Sequence, residues 1–174
     1  MSILNTLVER ARKGAKVIVL PEGQDARVVA AANKAVDEKV VTKAIVLGSE
    51  AEIAEACAKA GVTERKFECV DYLNSPLYND FVAEFTEMRK AKGMTPEKAR
   101  ETIKNTLFYA CMMIKEGKAD GMVSGAINTT GNTLRPGLQI IKMAKGINTI
   151  SSCFIMEIPN KEYGDNGLML FGDC

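Results

Sequence analysis

The sequence contains no histidine, and this absence removes several kinds of active site from consideration. Without an imidazole, the segment alone builds neither a histidine-based catalytic triad nor a histidine-bound metal site. It also has no apolar run long enough to span a bilayer. Its formal net charge is only +1, so no overall field favours nucleic acid or an acidic membrane. The sequence therefore predicts a globular protein whose partners are small molecules.

Cysteine is present but is not arranged for metal or redox chemistry. No two cysteines have the C-x-x-C spacing of a metal or redox pair. Because the number is odd and the neighbours are mostly apolar, we expect reduced, packed thiols in a cytoplasmic protein, and no metal site. The five cysteines are Cys57, Cys69, Cys111, Cys153 and Cys174.

Short apolar runs alternate with longer helical patterns along the first 145 residues. The runs predict strands at residues 16–20, 43–48, 67–71 and 119–124. Helices are predicted at the N-terminus and at about residues 27–38, 49–60, 75–91, 96–116 and 133–145. This alternation favours a mostly parallel sheet with helices on both faces. The sequence therefore predicts an α/β protein with a three-layer α/β/α arrangement.

The pattern changes near Gly146. Two further strands are predicted at residues 149–158 and 168–171, and a polar loop suited to a hairpin joins them. Antiparallel pairing is therefore expected to begin there. We predict a domain boundary at this point, with residues 1–145 in a first α/β domain and residues 146–174 in a second.

Residues 120–139 are the richest in possible chemistry. Ligands of open α/β sheets usually bind at the carboxyl ends of the strands, where this segment begins. Small residues let the backbone approach an anion, and hydroxyls together with the N–H groups at a helix start hold phosphate oxygens. The alternative, which the pattern leaves open, is that the threonines only cap the helix. The candidate residues are Ser124, Gly125, Thr129 and Thr130.

Three arginines are candidates for binding a negatively charged ligand. Arg135 follows in the same segment, and a guanidinium donates paired hydrogen bonds to an anion. Arg27 opens the helix after the first strand, where a positive charge gains nothing from the helix dipole. Arg89 lies near the end of a helix, where stabilising the last carbonyls is the commoner role. For Arg27 and Arg135, a solvent-exposed surface position is the alternative.

Five segments of the chain carry a family resemblance. They are Pro-Glu-Gly at 21–23, Met-Arg-Lys-Ala-Lys-Gly-Met-Thr at 88–95, Asp-Gly-Met-Val-Ser-Gly-Ala at 120–126, Thr-Leu-Arg-Pro-Gly-Leu-Gln-Ile-Ile-Lys at 133–142 and Leu-Phe-Gly-Asp at 170–173. In this order they resemble the phosphate acetyltransferase and phosphate butyryltransferase family, and the resemblance covers essentially the whole chain. Segment 88–95 favours the acetyl branch.

The resemblance implies an architecture and an activity. Family members are about twice this length and fold as two α/β domains, with the active site in the cleft between them, and they form homodimers. This chain would then be the N-terminal half, with most of the first domain and the first strands of the second. The implied reaction is acetyl-CoA plus phosphate giving CoA plus acetyl phosphate, in either direction. Coenzyme A is a substrate here, and no permanently bound cofactor is implied.

The resemblance also assigns roles to single residues. Arg89 and Arg135 match family arginines near the CoA and acyl-phosphate sites, and Arg27 is a weaker match to a residue for a CoA phosphate. The family's base is an aspartate of the other half, expected beyond Cys174, so this half alone is expected to be inactive. The residues that match the phosphate-binding loop are Ser124, Gly125, Thr129 and Thr130.

The chain departs from the family pattern at a few positions. Asn128 stands where a histidine is frequent, Gly137 where an alanine is frequent, and an aspartate is often found near Asn132. We expect the missing histidine to be tolerated because the family's base lies elsewhere. Three other functions stay open: a phosphate butyryltransferase, a decarboxylating dehydrogenase of related fold, and a non-catalytic CoA-binding module.

Arg135→Ala tests the predicted anion contact. It removes a charge-assisted hydrogen bond worth ~1.5–3 kcal/mol. We therefore expect the affinity of the full-length protein for phosphate or CoA to fall by roughly ten- to more than a hundredfold. Steady-state kinetics with both substrates check this. Unchanged Michaelis constants together with unchanged turnover would refute a role for Arg135.

Overall fold

The computed structural model describes residues 2–172, which form two compact units. The larger unit is Ala11–Lys142, and the smaller one combines residues 2–10 with residues 143–172. Two residues named in the sequence analysis, Asp173 of the last family-like segment and Cys174, lie outside the described residues. The division of the whole protein into two domains near residue 145 stays a prediction.

Seven α-helices and six strands form the described chain. The helices are α1 Ile3–Gly14, α2 Ala26–Asp37, α3 Glu50–Ala60, α4 Tyr78–Arg89, α5 Pro96–Ile103, α6 Thr106–Lys115 and α7 Thr130–Pro136. The strands are β1 Val17–Leu20, β2 Lys43–Leu47, β3 Glu68–Val70, β4 Gly121–Met122, β5 Cys153–Glu157 and β6 Leu168–Gly172. A 3-10 turn, Lys90–Lys92, follows α4, and a π-helical turn, Gly137–Ile141, continues α7. None of the helices described here is long and apolar enough to cross a membrane.

The larger unit is built on a four-stranded parallel sheet with the order β3-β2-β1-β4. In this sheet Ile18 of β1 is paired with Ala44 of β2 on one side and with Gly121 of β4 on the other. Because all four strands run the same way, their carboxyl ends meet at one edge. The loops that follow β1 and β4 are therefore neighbours.

Alternate residues of the strands bury opposite faces of the sheet. Val19 and Ile45 pack against α4, α5 and α6, and Leu20 and Val46 pack against α2 and α3. The period of two along a strand produces this division, since successive side chains point to opposite faces. Two helical layers therefore enclose the sheet, and the predicted three-layer α/β/α fold is confirmed.

Two helix boundaries differ from the prediction because of local capping. The single helix predicted at residues 96–116 is two helices, α5 and α6. Asn105 divides them, because its side chain accepts a hydrogen bond from the backbone N–H of Leu107 at 3.0 Å and caps α6. The helix predicted to begin near Thr133 starts earlier, since the side chain of Thr129 caps α7.

The smaller unit contains the predicted hairpin. β5 and β6 are antiparallel, with Phe154 opposite Phe171 and Met156 opposite Met169. Within this unit, the Glu157 carboxylate accepts hydrogen bonds from the Ser2 hydroxyl at 2.7 Å and from the backbone N–H of Ile3 at 2.9 Å. The start of the chain is thereby tied to the end of β5.

Gly23→Ala tests the close approach of the chain after β1 to the end of β2. A Cβ at this position would lie 2.5 Å from the carbonyl oxygen of Leu47 and 2.8 Å from Cγ1 of Val46. The carbonyl belongs to a buried strand and cannot move freely, so we expect a loss of ~1–3 kcal/mol in the free energy of unfolding. Chemical denaturation measures it. Gly131→Ala is the control, because nothing lies within 4 Å of its added Cβ; equal effects at both positions would contradict the argument.

Candidate functional site

The candidate site lies at the carboxyl ends of β1 and β4. β1 leads into Glu22, and β4 leads into the loop of residues 123–128. The backbone N–H of Val123 donates to the carbonyl of Val19 at 3.2 Å, which continues the pairing of the two strands to their ends. The two loops therefore meet at the edge where open α/β sheets bind ligands.

The contact between the loops is made by the side chain of Glu22, which is only 1% exposed. One carboxylate oxygen accepts from the backbone N–H groups of Gly125 at 3.0 Å and Ala126 at 2.9 Å. The other accepts from the backbone N–H groups of Ile127 at 3.1 Å and Asn128 at 2.9 Å, and from the Asn128 side-chain amide at 2.8 Å. A buried carboxylate with five donors is well satisfied.

These hydrogen bonds keep Glu22 ionised. Burial raises the pKa of its carboxyl, because it disfavours the charged form. The hydrogen bonds from the Asn128 side chain and from the backbone of residues 126–128 outweigh burial and lower the pKa from 4.5 to about 2. Glu22 was not among the residues predicted for the site. Its position in Pro-Glu-Gly at a strand end was the signal that could have found it.

The position of Glu22 changes how the predicted phosphate loop is to be understood. The backbone N–H of Gly125 donates to Glu22, so in this structure it is used within the protein and not by an anion. The first turn of a helix has no intrahelical acceptors for its opening N–H groups, so these groups need partners of another kind. Thr130 begins α7, and the Thr129 hydroxyl accepts from the backbone N–H of Asn132 at 3.3 Å. Thr129 is therefore the helix cap that the sequence analysis left open.

Ser124 has a buried hydroxyl without a partner. Its Oγ is closed to solvent and makes no hydrogen bond to any described residue. The residue lines a hollow of about 250 Å³ together with Glu22, Arg27 and an apolar wall that includes Val28 and Val123. An unsatisfied buried hydroxyl beside a hollow is a position where a polar ligand atom is favoured.

Arg27 borders the same hollow and is held in place by hydrogen bonds. Its Nε donates to Asp25 at 3.0 Å, and its Nη2 donates to Asp25 at 2.7 Å and to the carbonyl of Ala126 at 2.8 Å. The hydrogen bonds from Arg27 lower the pKa of Asp25 to about 2. Its side chain is still 71% exposed, so the guanidinium, paired with the ionised Asp25, is held at this edge within reach of solvent.

The other two arginines lie elsewhere on the larger unit. Arg135 is exposed in the last turn of α7, makes no hydrogen bond or ion pair with the described residues, and does not line the hollow of Ser124. Arg89 is the last residue of α4, and its Nε is buried without a partner among these residues. The structure thus brings Ser124 and Arg27 together and does not bring Arg135 into their hollow.

Comparisons with known proteins agree along the whole chain. The family model described as Phosphate acetyl/butaryl transferase matches residues 2–174. The phosphate acetyltransferases of Thermoanaerobacterium thermosaccharolyticum and Acetivibrio thermocellus are 46% and 47% identical over 174 residues, which is 100% of this chain and 52% of each relative. The EutD phosphotransacetylase from Staphylococcus aureus superimposes with a TM-score of 0.82 at 35% identity, over 100% of this chain and 52% of that one. The chain therefore spans about half the length of the curated relatives it matches.

Glu22→Gln tests the charge at the loop contact through the pH dependence of stability. Since the folded pKa of about 2 is below the usual 4.5, the stabilisation is complete above pH 4.5 and is lost as the pH falls towards 2. A shift of this size corresponds to roughly 3 kcal/mol. We expect the variant to be less stable than the wild type at pH 7, and the difference to shrink on acidification. Chemical denaturation between pH 7 and pH 2 checks this.

The control is Glu84→Gln, which removes a carboxylate paired with Lys115 near the end of α6. For Glu84→Gln, the difference in stability from the wild type should not shrink on acidification in the way expected for Glu22→Gln. A stability difference between the wild type and Glu22→Gln that stays constant over the whole pH range would contradict the ionised contact.

Proposed function

The chain belongs to the Phosphate acetyl/butaryl transferase family, and on this basis we propose that the full-length protein transfers an acetyl group between coenzyme A and inorganic phosphate. Acetyl-CoA and phosphate give CoA and acetyl phosphate, and the reverse reaction gives acetyl-CoA. Relatives that are 46% and 47% identical carry the name phosphate acetyltransferase, which supports the acetyl group as the one transferred.

The observation that carries the proposal is the unsatisfied hydroxyl of Ser124 beside the guanidinium of Arg27. Both line one hollow at the carboxyl ends of β1 and β4. A phosphate oxygen placed there gains a neutral donor and a nearby cation. The buried Nε of Arg89 and the unpaired guanidinium of Arg135 are further donors for the phosphates of the substrates. Binding of negatively charged oxygens is thus the contribution we assign to this half.

The chemical step follows from the reaction. In the direction that forms acetyl-CoA, the thiolate of CoA attacks the acetyl carbonyl, the bond to phosphate breaks, and phosphate leaves. Cations stabilise the charge on the leaving phosphate, and a base removes the thiol proton. We propose that the arginines of this half stabilise the leaving phosphate and that an aspartate beyond Cys174 removes the thiol proton. On this proposal residues 1–174 bind substrate but do not turn it over.

Three further assignments belong to the same proposal. Coenzyme A is a substrate and not a resident cofactor, and the full-length protein is a homodimer. A cytoplasmic location is supported by Cys57, Cys69, Cys111 and Cys153, all of which are free thiols.

Burial raises the pKa of Cys111 to about 11, so this thiol is protonated at neutral pH and is not a nucleophile.

Phosphate butyryltransferase is the second candidate, because the family description covers both acyl groups. The two activities differ in the acyl pocket, and the names of the relatives favour acetyl. A non-catalytic CoA-binding module would bind CoA without turnover. A decarboxylating dehydrogenase would reduce NAD(P).

The test is an assay of the full-length protein with CoA and either acetyl or butyryl phosphate, following thioester formation. We expect turnover with both CoA and acetyl phosphate present, a lower rate with butyryl phosphate, and no reduction of NAD(P). Ser124→Ala should raise the Michaelis constant for acetyl phosphate by roughly tenfold or more, since it removes a hydrogen bond to a charged group.

Ser49→Ala is the matched control for Ser124→Ala. Ser49 also follows a strand, but its hydroxyl already caps α3 by accepting from the backbone N–H of Glu52 at 3.3 Å. It should lower stability and leave the Michaelis constants unchanged. Absence of thioester formation from any acyl phosphate would overturn the proposed function.

A further inference from the structure

Four successive backbone N–H groups converge on one carboxylate in the loop after β4. They belong to residues 125–128, and they all donate to the side chain of Glu22. A run of N–H groups that point the same way forms a concave anion-binding surface, which in many proteins holds a free phosphate. Here the anion is a side chain of the same protein, fixed to the end of β1.

This contact takes up the backbone N–H groups of the loop. Among the residues described, the backbone hydrogen bonds of 125–128 go to Glu22 and, through the carbonyl of Ala126, to Arg27. Gly125 has a φ of +114°, a conformation that residues with a side chain rarely adopt and that glycine permits, so the turn after Ser124 requires this glycine. Ser124 directly precedes this turn, so the direction of its hydroxyl follows the course of the loop that is hydrogen-bonded to Glu22.

The buried carboxylate of Glu22 is compatible with a negatively charged substrate nearby. A fixed carboxylate would repel a phosphate nearby, but five donors surround this one and stabilise its charge. The guanidinium of Arg27 lies between Asp25 and the loop, where it pairs with the Asp25 carboxylate and donates to the carbonyl of Ala126. A phosphate entering the hollow therefore meets Arg27 and Ser124, with Glu22 covered by the loop it holds.

We propose that Glu22 is a positioning residue: its buried carboxylate, clamped by the backbone of residues 125–128 and the amide of Asn128, holds the Ser124 hydroxyl in place for phosphate. The inference rests on the proposed function. Asn128 is part of the device because it donates twice to the same oxygen, by its backbone N–H and by its side chain.

The first test is Glu22→Gln in the full-length protein. Glutamine keeps the size of the side chain but replaces one acceptor oxygen by an NH₂ group, which faces backbone donors and cannot accept from them. We expect hydrogen exchange of the peptide spanning residues 123–129 to become at least tenfold faster. The Michaelis constant for acetyl phosphate should rise at least tenfold, with a smaller fall in turnover.

A second variant tests the clamp from the other side and serves if Glu22→Gln does not fold. Asn128→Asp has the same size but sets a carboxylate against Glu22, and two carboxylates sharing a site raise the pKa of one of them. We expect the same loss of exchange protection and a raised Michaelis constant at pH 8, with both defects relieved relative to the wild type as the pH falls. Glu84→Gln, whose carboxylate pairs with Lys115, is the control for losing a carboxylate elsewhere.

The outcomes separate the inference from the proposed function. Unchanged hydrogen exchange in both Glu22→Gln and Asn128→Asp would show that Glu22 does not hold the loop. Faster exchange with an unchanged Michaelis constant would show that the contact is only structural, and either result overturns the inference. A wild type that forms no thioester from any acyl phosphate would end the proposed function instead, and hydrogen exchange would then decide alone whether Glu22 holds the loop.

Discussion

The carboxylate of Glu22 is the interaction on which the candidate site depends. It joins the end of β1 to the loop after β4 through five hydrogen bonds, and it does so at a position closed to water. A buried charge of this kind is costly unless it is fully paired, so the loop and the carboxylate stabilise each other's positions. Ser124 directly precedes the loop residues that this contact binds, and Arg27 donates to the carbonyl of one of them, Ala126.

The parallel sheet makes the contact possible. β1 and β4 are neighbours although about a hundred residues separate them, and their shared direction sets both following loops at one edge. Arg27 lies at the same edge, where it pairs with Asp25 and donates to the carbonyl of Ala126. Ser124, whose buried hydroxyl has no partner among the described residues, and Arg27, whose exposed guanidinium is paired with Asp25, both line one hollow at this edge.

Much of the fold could be predicted because its signals are local. Val19 and Leu20 alternate between two cores as a strand period of two demands, and Ser49 with Glu52 forms the capping box that its spacing indicates. The misplaced helix boundaries were local as well. Asn105 and Thr129 are capping residues whose role competes with continuing the helix, and pattern alone did not decide between the two.

The sequence by itself determined the class of fold, the hairpin at 153–172 and a loop of small residues after β4 with Ser124 at its start. Only the tertiary structure decided which group accepts the hydrogen bonds from the backbone N–H groups of that loop. Glu22 and Gly125 are 103 positions apart, and their contact depends on β4 pairing with β1 and not with another strand. Periodicity and capping record interactions between residues a few positions apart, so a long-range pairing and the burial it creates leave no comparable trace in the sequence.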